Sequence, residues 1–407
     1  MDRLSEPSPF DLLDDAGHAF VDRVLASVRD YLGAHVSFLA EVVGQHKLIR
    51  AAHGPAQSAG VPVGMRFPLA DTYCQRVLSG TIPQAIYDAR ADARTRDIPL
   101  TRVLGIATYM GVPVHLPCGR TLGTLCCINF EPHPEHRDRD LGMLRFLADL
   151  LGRHLEDSVA SHALRRERRG AVQGVLAGGG PTMVYQPIVE MRTGRMVGVE
   201  ALARFDTAHV QASPDVWFRE AWAIGLGQEL ELAAIHGARR ALTELPAEVY
   251  LAVNASPVTV IAADFQRAIG GVEPGRLVVE ITEHAAVEDY PALVREVAAL
   301  RAAGVRIAID DVGAGYSSLR HVLEIAPDIA KLDMSLTRHV DADVARQAMA
   351  QGVVAFAERT RVTVVAEGVE TREEAAALEA AGVVYAQGYH FARPGSLASA
   401  LDAQRSA

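Results

Sequence analysis

The chain has 407 residues, of which 49% are hydrophobic and 22% are charged. This length exceeds one ordinary domain and predicts two or three, each able to bury a core. The formal net charge of −10 argues against DNA as a partner, because a duplex requires a basic face. No apolar run reaches the roughly 18 residues of a membrane-spanning helix, and residues 1–10 lack a secretory core. We therefore expect a cytoplasmic protein with no membrane partner.

The first segment, residues 14–156, predicts an α+β domain around a central antiparallel sheet. Apolar residues recur at helical spacing over residues 16–32. Two hairpins are predicted, one over residues 36–52 and one over residues 110–130.

All four cysteines lie in the first third of the chain: Cys74, Cys118, Cys126 and Cys127. None has the CxxC spacing of a zinc site. We expect buried, reduced thiols, and a redox sensor is the alternative.

A long helix is predicted from residue 141 onward, with a narrow apolar seam of Leu144, Leu147, Leu151 and Leu155. Such a seam either pairs two chains in a coiled coil or packs the helix on its own sheet, and the sequence leaves both open. The helix continues through a charged stretch to glycines 178–180. We assign residues 157–181 to a signalling helix and a Gly-rich linker.

From residue 183 onward, apolar β-rich runs alternate with Ala- and Leu-rich helical stretches. About 225 residues with roughly eight strands fit a TIM-type (β/α)8 barrel, whose catalytic groups lie at the carboxyl ends of the strands. The competing topology is a doubly wound open sheet. That topology would need a ligand loop such as GxGxxG after a strand, and the sequence has none.

Polar side chains recur where these apolar runs end. They are Glu200, Asn254, Glu280, Asp310, Asp311, Lys331, Glu367 and Gln387. Because the carboxyl ends of barrel strands meet at one rim, we expect these side chains to converge. Any single acid is as well explained as a helix cap or the start of a loop. Their recurrence throughout the C-terminal half favours a common site.

The predicted site would hold five carboxylates, and a pair about 5 Å apart repels by roughly 3 kcal/mol at an effective dielectric near 20. Two divalent cations and the Lys331 ammonium would supply five positive charges, which matches the carboxylates. Cations such as Mg²⁺ prefer oxygen ligands, and paired cations are a common device for attacking phosphodiesters. The residues therefore predict a metal site.

Short motifs surround these residues in a fixed order between residues 182 and 400. They are Tyr185-Gln186-Pro187-Ile188, Glu200-Ala201-Leu202 with Arg204, Val253-Asn254-Ala255-Ser256-Pro257, Glu280-Ile281-Thr282-Glu283, Asp310-Asp311-Val312-Gly313-Ala314-Gly315-Tyr316, Lys331-Leu332-Asp333, Ala366-Glu367-Gly368-Val369-Glu370 and Gln387-Gly388-Tyr389. In order and spacing they resemble the EAL domain, the bacterial family of cyclic-di-GMP phosphodiesterases. The resemblance covers an EAL-like barrel over residues 182–402.

The resemblance implies hydrolysis of one phosphodiester of cyclic-di-GMP to give linear pGpG, with two Mg²⁺ or Mn²⁺ ions per active site. One ion would be held by Glu200, Asn254, Glu280 and Asp310, and the other by Asp310, Asp311 and Glu367. The implied role of Lys331 is to orient the attacking water or offset developing charge. The alternative function is a non-catalytic receptor that binds cyclic-di-GMP and signals by a conformational change.

The resemblance also implies ligand contacts from Gln186, Arg204 and Gln387. Glu283 would brace the loop over residues 311–318, which the family uses to couple metal binding and dimer contacts to activity. Val312 stands where the family usually has phenylalanine, and residue 314 is alanine where threonine is frequent. These departures bear on rate and regulation more than on the chemistry.

The first segment resembles a GAF domain, the small-molecule sensor fold often placed before signalling outputs. The resemblance rests on Asp71-Thr72-Tyr73-Cys74-Gln75, Gly111-Val112-Pro113-Val114 and Gly123-Thr124-Leu125-Cys126. It implies an unidentified small ligand for residues 14–156, regulation of the barrel by this domain, and a homodimer. Cys74 is read as a small buried side chain on a helix, with a chromophore anchor or redox switch as the alternative.

Overall fold

A computed structural model describes residues 8–132, 138–205, 212–282, 289–313 and 316–406. The chain divides into two compact units, residues 1–166 and residues 167–407. Within the described residues, no helix combines the length and the apolar character needed to cross a membrane.

The first unit is built on a six-stranded antiparallel sheet, as expected from the sequence. Its strands, in chain order, are β1 Val36–Val43, β2 His46–His53, β3 Arg66–Pro68, β4 Ala85–Ile86, β5 Thr108–His115 and β6 Thr121–Asn129. Its helices are α1 Asp15–Leu32, α2 Tyr73–Leu78, α3 Pro99–Val103 and the start of α4 Asp138–Ala177. The strand order is β3-β2-β1-β6-β5-β4, so both predicted hairpins are confirmed.

Each face of this sheet carries its own core. Helix α1 begins at the cap residue Asp14, whose side chain accepts a hydrogen bond from the Gly17 amide, and ends at the left-handed Gly33. Together with α4 it buries apolar side chains against one face. Helices α2 and α3 cover the opposite face, where a second apolar cluster includes Cys74 and Cys126.

Helix α4 runs without interruption from Asp138 to Ala177, across the division between the units. Its seam residues Leu144, Leu151 and Leu155 are buried against the sheet of the first unit. Of the two interpretations that the sequence left open, packing on its own sheet accounts for these leucines. Pairing with a second chain stays a prediction.

The second unit contains a closed eight-stranded barrel, which confirms the TIM-type expectation and rejects the open sheet. Its strands are β7 Thr182–Glu190, β8 Met196–Arg204, β9 Tyr250–Ala255, β10 Leu277–Ile281, β11 Arg306–Val312, β12 Ile329–Leu332, β13 Thr363–Ala366 and β14 Tyr385–Ala386. The helices are α5 Pro214–Ala223, α6 Gly227–Arg239, α7 Pro257–Ile261, α8 Ala263–Ile269, α9 Tyr290–Ala302, α10 Tyr316–Ile325, α11 Met334–Thr337, α12 Val344–Thr360, α13 Arg372–Ala380 and α14 Leu397–Ser406.

One strand of the barrel, β7, runs against the others. It pairs antiparallel with both β8 and β14, whereas the remaining neighbours in the barrel pair in parallel. The hairpin from β7 to β8 turns at Gly194, which has a positive φ of 68°. Antiparallel pairing places Gln186 directly opposite Glu200.

Apolar side chains fill the bottom of the barrel and form what we call the interior layer. They are Ile188, Tyr250, Ala252, Val278, Ala308, Ile329 and Val365. The alternate residues of the same strands, such as Leu251, Val279 and Ile307, pack outward in the cluster that includes the helices. The pleat thus separates the two sets and fixes which residues face inward.

Candidate active site

The candidate site is the next inward-facing layer above the interior layer, and we call it the site layer. It consists of Gln186, Glu200, Asn254, Glu280, Asp310, Lys331 and Glu367. Asn254, Glu280, Asp310, Lys331 and Glu367 each lie two positions beyond an interior-layer residue. Because side chains alternate along a strand, a step of two residues keeps the same face and rises by roughly 7 Å. Gln186 lies two positions before Ile188 because β7 runs in the opposite direction.

Lys331 lies at the centre of the site layer and is 1% exposed. Its ammonium nitrogen is 2.6 Å from a Glu367 oxygen and 2.7 Å from a Glu280 oxygen. The same nitrogen is 3.2 Å from Asp310 and 3.3 Å from Glu200. Four predicted acids from separate parts of the barrel are therefore brought together around one cation.

Burial and the close charges shift the pKa values of this cluster. Burial opposes the charged form of Lys331, but Asp310, Glu200 and Glu280 outweigh it and raise its pKa well above the usual value. Burial is the main reason that the pKa values of Glu280 and Glu367 are raised well above the usual range, and neighbouring carboxylates add to it. One ammonium therefore compensates only part of the acidic charge.

Asp310 and Asp311 are consecutive, yet both contribute to the same site. Normal alternation would send neighbouring side chains to opposite faces of the strand. The pairing of β11 with β12 shifts register between Ile309 and Val312, and Asp311 has a positive φ of 54°. This irregularity allows carboxylate oxygens of Asp310, Asp311 and Glu367 to lie within 4.8 Å of one another.

The donor set of this acid group fits a divalent cation. Carboxylate oxygens are the ligands that Mg²⁺ and Mn²⁺ prefer. Asp310 Oδ1 is buried and, among the described residues, accepts no hydrogen bond of good geometry, although the Lys331 ammonium is nearby. A cation would satisfy this atom and compensate the remaining carboxylate charge.

An amide network holds the opposite side of the site layer. The Gln387 amide nitrogen donates to Gln186 Oε1 at 2.8 Å and to Glu200 Oε2 at 2.7 Å. The Asn254 amide donates to Glu200 Oε1 at 2.9 Å, and the Gln186 amide donates to the backbone carbonyl of Ala392 at 3.0 Å. The structure thus brings Gln186 and Gln387, two predicted ligand contacts, into contact with the predicted metal ligand Glu200.

Of the remaining predicted residues, the structure describes Arg204 and Val312. Arg204 lies at the end of β8 on the same face as Glu200, and its guanidinium donates to the Ala203 carbonyl. Val312 is buried and pairs in register with Leu332, so this aliphatic side chain is part of the barrel core. Glu283 and residues 314–315 of the loop over residues 311–318 lie outside the described residues.

Two supporting residues were not identified from the sequence. The buried Glu231 on α6 accepts hydrogen bonds from the backbone amide and the hydroxyl of Ser256, both at 2.9 Å. Ser256 lies two residues after Asn254 in the chain. Thr337 on α11 donates to the backbone carbonyl of Glu367. A Ser-Pro pair after β9 indicates a helix start, but no local pattern points to an acid so distant in the sequence.

Comparison with known proteins identifies both parts of the chain. Residues 169–394 match the family model of the EAL domain, and residues 17–155 match that of the GAF domain. An uncharacterized protein of Mycobacterium tuberculosis is 31% identical over 224 residues, which is 52% of this chain and 36% of that protein. The chain thus spans about a third of that relative.

Two further matches concern proteins whose names state an activity. The probable cyclic di-GMP phosphodiesterase PdeG of Escherichia coli K12 is 28% identical over 275 residues, which is 63% of this chain and 53% of that protein. A solved structure of the PaMucR phosphodiesterase in complex with c-di-GMP has a TM-score of 0.52 and 29% identity, covering 56% of this chain and 98% of that one. With more than half of its residues in the family match, the chain belongs to the EAL domain family.

Proposed function

We propose that this chain hydrolyses cyclic-di-GMP to linear pGpG with two Mg²⁺ or Mn²⁺ ions. The observation that carries the proposal is the convergence of four carboxylates on Lys331, next to the acid group of Asp310, Asp311 and Glu367. The similarity to PaMucR, whose structure is a c-di-GMP complex, supports the choice of substrate.

The acids of the site divide into two proposed ligand sets that share Asp310. Glu200, Asn254, Glu280 and Asp310 would hold one cation, and Asp310, Asp311 and Glu367 the other. Bound cations lower the pKa of water and neutralise phosphate oxygens. Lys331 would orient the attacking water or offset charge on the phosphate as a hydrogen-bond donor.

Ligand binding is assigned to Gln186, Arg204 and Gln387. Gln186 lies in the site layer and Gln387 is hydrogen-bonded to it, so both amides are positioned before a ligand arrives. Arg204 lies further along β8 on the face that carries Glu200. A guanidinium at this position suits a forked contact with a phosphate. Glu283 keeps its proposed role of bracing the loop over residues 311–318.

The domain roles form part of the same proposal. Residues 14–156 would sense an unidentified small ligand, residues 157–181 would transmit the signal, and residues 182–402 would carry the phosphodiesterase in a homodimer. The uninterrupted helix α4 supports this arrangement, since it connects the two units without a loop. Equal turnover and oligomeric state in full-length protein and a variant lacking residues 1–166 would contradict it.

The proposal is tested by incubating the full-length protein with cyclic-di-GMP and either Mg²⁺ or Mn²⁺, and by following pGpG chromatographically. We expect product with at least one cation and none after chelation. Glu200→Gln should lower turnover by at least about a hundredfold, because it removes a charged ligand. The substitution also sets an amide donor against the amide of Asn254 or Gln387, since both Glu200 oxygens accept hydrogen bonds. Glu190→Gln, on β7 outside the site layer, is the matched control and should retain activity.

The receptor alternative gives a different result in the same experiment. It predicts tight binding of cyclic-di-GMP by calorimetry with no pGpG under either cation. That outcome would reject the proposed phosphodiesterase activity and would support binding of cyclic-di-GMP.

A further inference from the structure

The first unit buries two cysteines in contact with each other, and the proposed phosphodiesterase chemistry uses neither. Cys74 on α2 is 1% exposed and Cys126 on β6 is fully buried. Their sulfur atoms are 3.9 Å apart although 52 residues separate them in the chain. Both cysteines are reduced. A disulfide has a sulfur–sulfur distance of about 2 Å, so bond formation requires the sulfurs to approach by roughly 2 Å.

Polar groups surround this thiol pair inside an otherwise apolar core. The Thr124 hydroxyl donates to the Cys74 sulfur at 3.0 Å, and the Cys126 thiol donates to the Thr124 oxygen at 3.2 Å. The Tyr109 hydroxyl lies 3.3 Å from the Cys126 sulfur. The hydrogen bond that Thr124 donates stabilises a thiolate on Cys74, whereas Cys126 is held as a donating thiol.

A buried ammonium adds positive charge to the same core. Lys47 on β2 is 3% exposed, and its nitrogen lies 4.6 Å from the Phe67 ring centroid and 5.2 Å from that of Phe38. Phe38 is the register partner of Cys126 and belongs to the same apolar cluster. The Cys126 hydrogen bond lowers the pKa of Cys74, burial opposes this shift, and the charge of Lys47 contributes to it.

We propose that Cys74 and Cys126 form a redox-active pair, which hydrogen peroxide converts into a disulfide between α2 and β6. The Cys74 thiolate attacks one peroxide oxygen, the O–O bond breaks, and the hydroxide released takes up the proton that Cys74 lost. This gives water and a sulfenic acid on Cys74. The Cys126 sulfur then attacks the Cys74 sulfur, the S–O bond breaks, and the hydroxide leaves as water with the Cys126 proton. Sulfur loses the two electrons that the peroxide gains.

The remaining cysteines provide controls within the same chain. Cys127 is adjacent to Cys126 but packs on the opposite face of the sheet, where burial raises its pKa. Cys118 is exposed in the turn between β5 and β6. If contact between the two sulfur atoms decides reactivity, Cys74 should be oxidised. Cys127 should stay reduced, although it is next to Cys126 in the chain. Cys118→Ser removes the exposed thiol that could link two molecules. All variants in the experiment therefore carry this substitution.

The test treats the folded full-length C118S protein with hydrogen peroxide, alkylates the remaining thiols after unfolding, and measures intact mass and linked peptides. Trypsin leaves Cys126 and Cys127 in one peptide beyond Arg120, so the same experiment is repeated with Cys127→Ser added. We expect one disulfide in both proteins, a link between the Cys74 and Cys126 peptides, and its loss after dithiothreitol. In C126S, Cys74 should instead accumulate as a sulfenic acid that dimedone traps.

Several results would overturn the proposal. One is full alkylation of Cys74 and Cys126 after peroxide treatment, and another is a link that disappears when Cys127 is replaced. A third is oxidation that occurs only in urea. If C126S fails to fold, the linked-peptide map of the C118S protein still decides the question. The readout is independent of phosphodiesterase activity.

Discussion

The two units each bury a lysine, but they surround it differently. Lys331 in the barrel contacts four carboxylates within 3.3 Å. Lys47 in the first unit lies over the rings of Phe38 and Phe67, and no carboxylate of the described residues pairs with it. Both side chains are almost fully buried. A buried ammonium requires compensation, and its partners indicate the chemistry available around it.

Around Lys331 the partners are hard oxygen ligands with more negative charge than one ammonium can balance. That excess favours further cations. Around Lys47 the partners are aromatic faces, and its charge acts on the thiol of Cys74. There the ammonium is the cation that stabilises a thiolate. The same residue type would therefore serve the proposed metal chemistry in one unit and the proposed sulfur chemistry in the other.

The strongest way to break this comparison is Lys331→Met. Removing the ammonium leaves several buried carboxylates without their common partner, and we expect a loss of about 3 to 5 kcal/mol in the free energy of unfolding. Phosphodiesterase turnover should fall to background. Both tryptophans, Trp217 and Trp222, lie in the second unit, so urea unfolding followed by tryptophan fluorescence reports on the barrel. A K331M barrel as stable as the wild type would contradict the role of the ammonium.

Divalent cations should stabilise the barrel. At about a hundredfold excess over its dissociation constant, a bound ion adds roughly 2.7 kcal/mol to the free energy of unfolding. We expect this increase when Mg²⁺ or Mn²⁺ is added after chelation, measured by the same fluorescence. Asp311→Asn should reduce it, and Lys47→Met should leave it unchanged. If the cation raised the free energy of unfolding of D311N as much as that of the wild type, the acid group would not be the metal site.

A backbone test sharpens the assignment of Asp311. Its φ of 54° is tolerated by Asp and Gly but strains Ala. We expect the free energy of unfolding of D311A to be about 1 kcal/mol lower than that of D311G, as measured by urea unfolding. Both variants should lose the same fraction of turnover, because both lose the carboxylate. Equal stability of the two variants would show that the left-handed conformation is not maintained.

The smallest expected effect is that of Lys47→Met. A buried charge replaced by an apolar side chain of similar length should change the free energy of unfolding by about 1 kcal/mol or less. Far-ultraviolet circular dichroism under reducing conditions measures this change. The same variant should form the Cys74–Cys126 disulfide more slowly, because its thiolate is less stabilised. If K47M lowered the free energy of unfolding as much as K331M does, the two buried lysines would not differ in the way described.

The convergence of the barrel residues could be anticipated because each of them closes an apolar run. Glu280 follows the run 277–279 and Lys331 follows Ile329 and Ala330, and both lie two positions beyond an interior-layer residue. The apolar runs end earlier than the strands, so Glu200 and Glu280 lie within β8 and β10 and not after them. The irregularity at Asp311 escaped prediction, because it depends on pairing with β12 and not on local composition.

The first unit was less predictable for the same reason. The sequence indicated an α+β sheet, and its expectation of buried thiols is confirmed for Cys74, Cys126 and Cys127 but wrong for Cys118, which is exposed in a turn. It did not indicate that Cys74 would meet Cys126. That contact depends on how α2 packs on the sheet, and no periodicity of either segment encodes it. Lys47 lies at the start of β2 just after a turn, where a lysine is usually exposed. Its burial among aromatic rings therefore also arises only in the folded chain.

Strand β7 follows the long helix α4 almost directly in the chain. Only residues 178–181 separate it from the end of α4, and it closes the barrel between β8 and β14. It also carries Gln186, whose amide group is bonded to Gln387 and to the Ala392 carbonyl. If the first unit regulates the proposed phosphodiesterase, a displacement along the axis of α4 would be passed to β7 and Gln186 through residues 178–181 of the covalent chain.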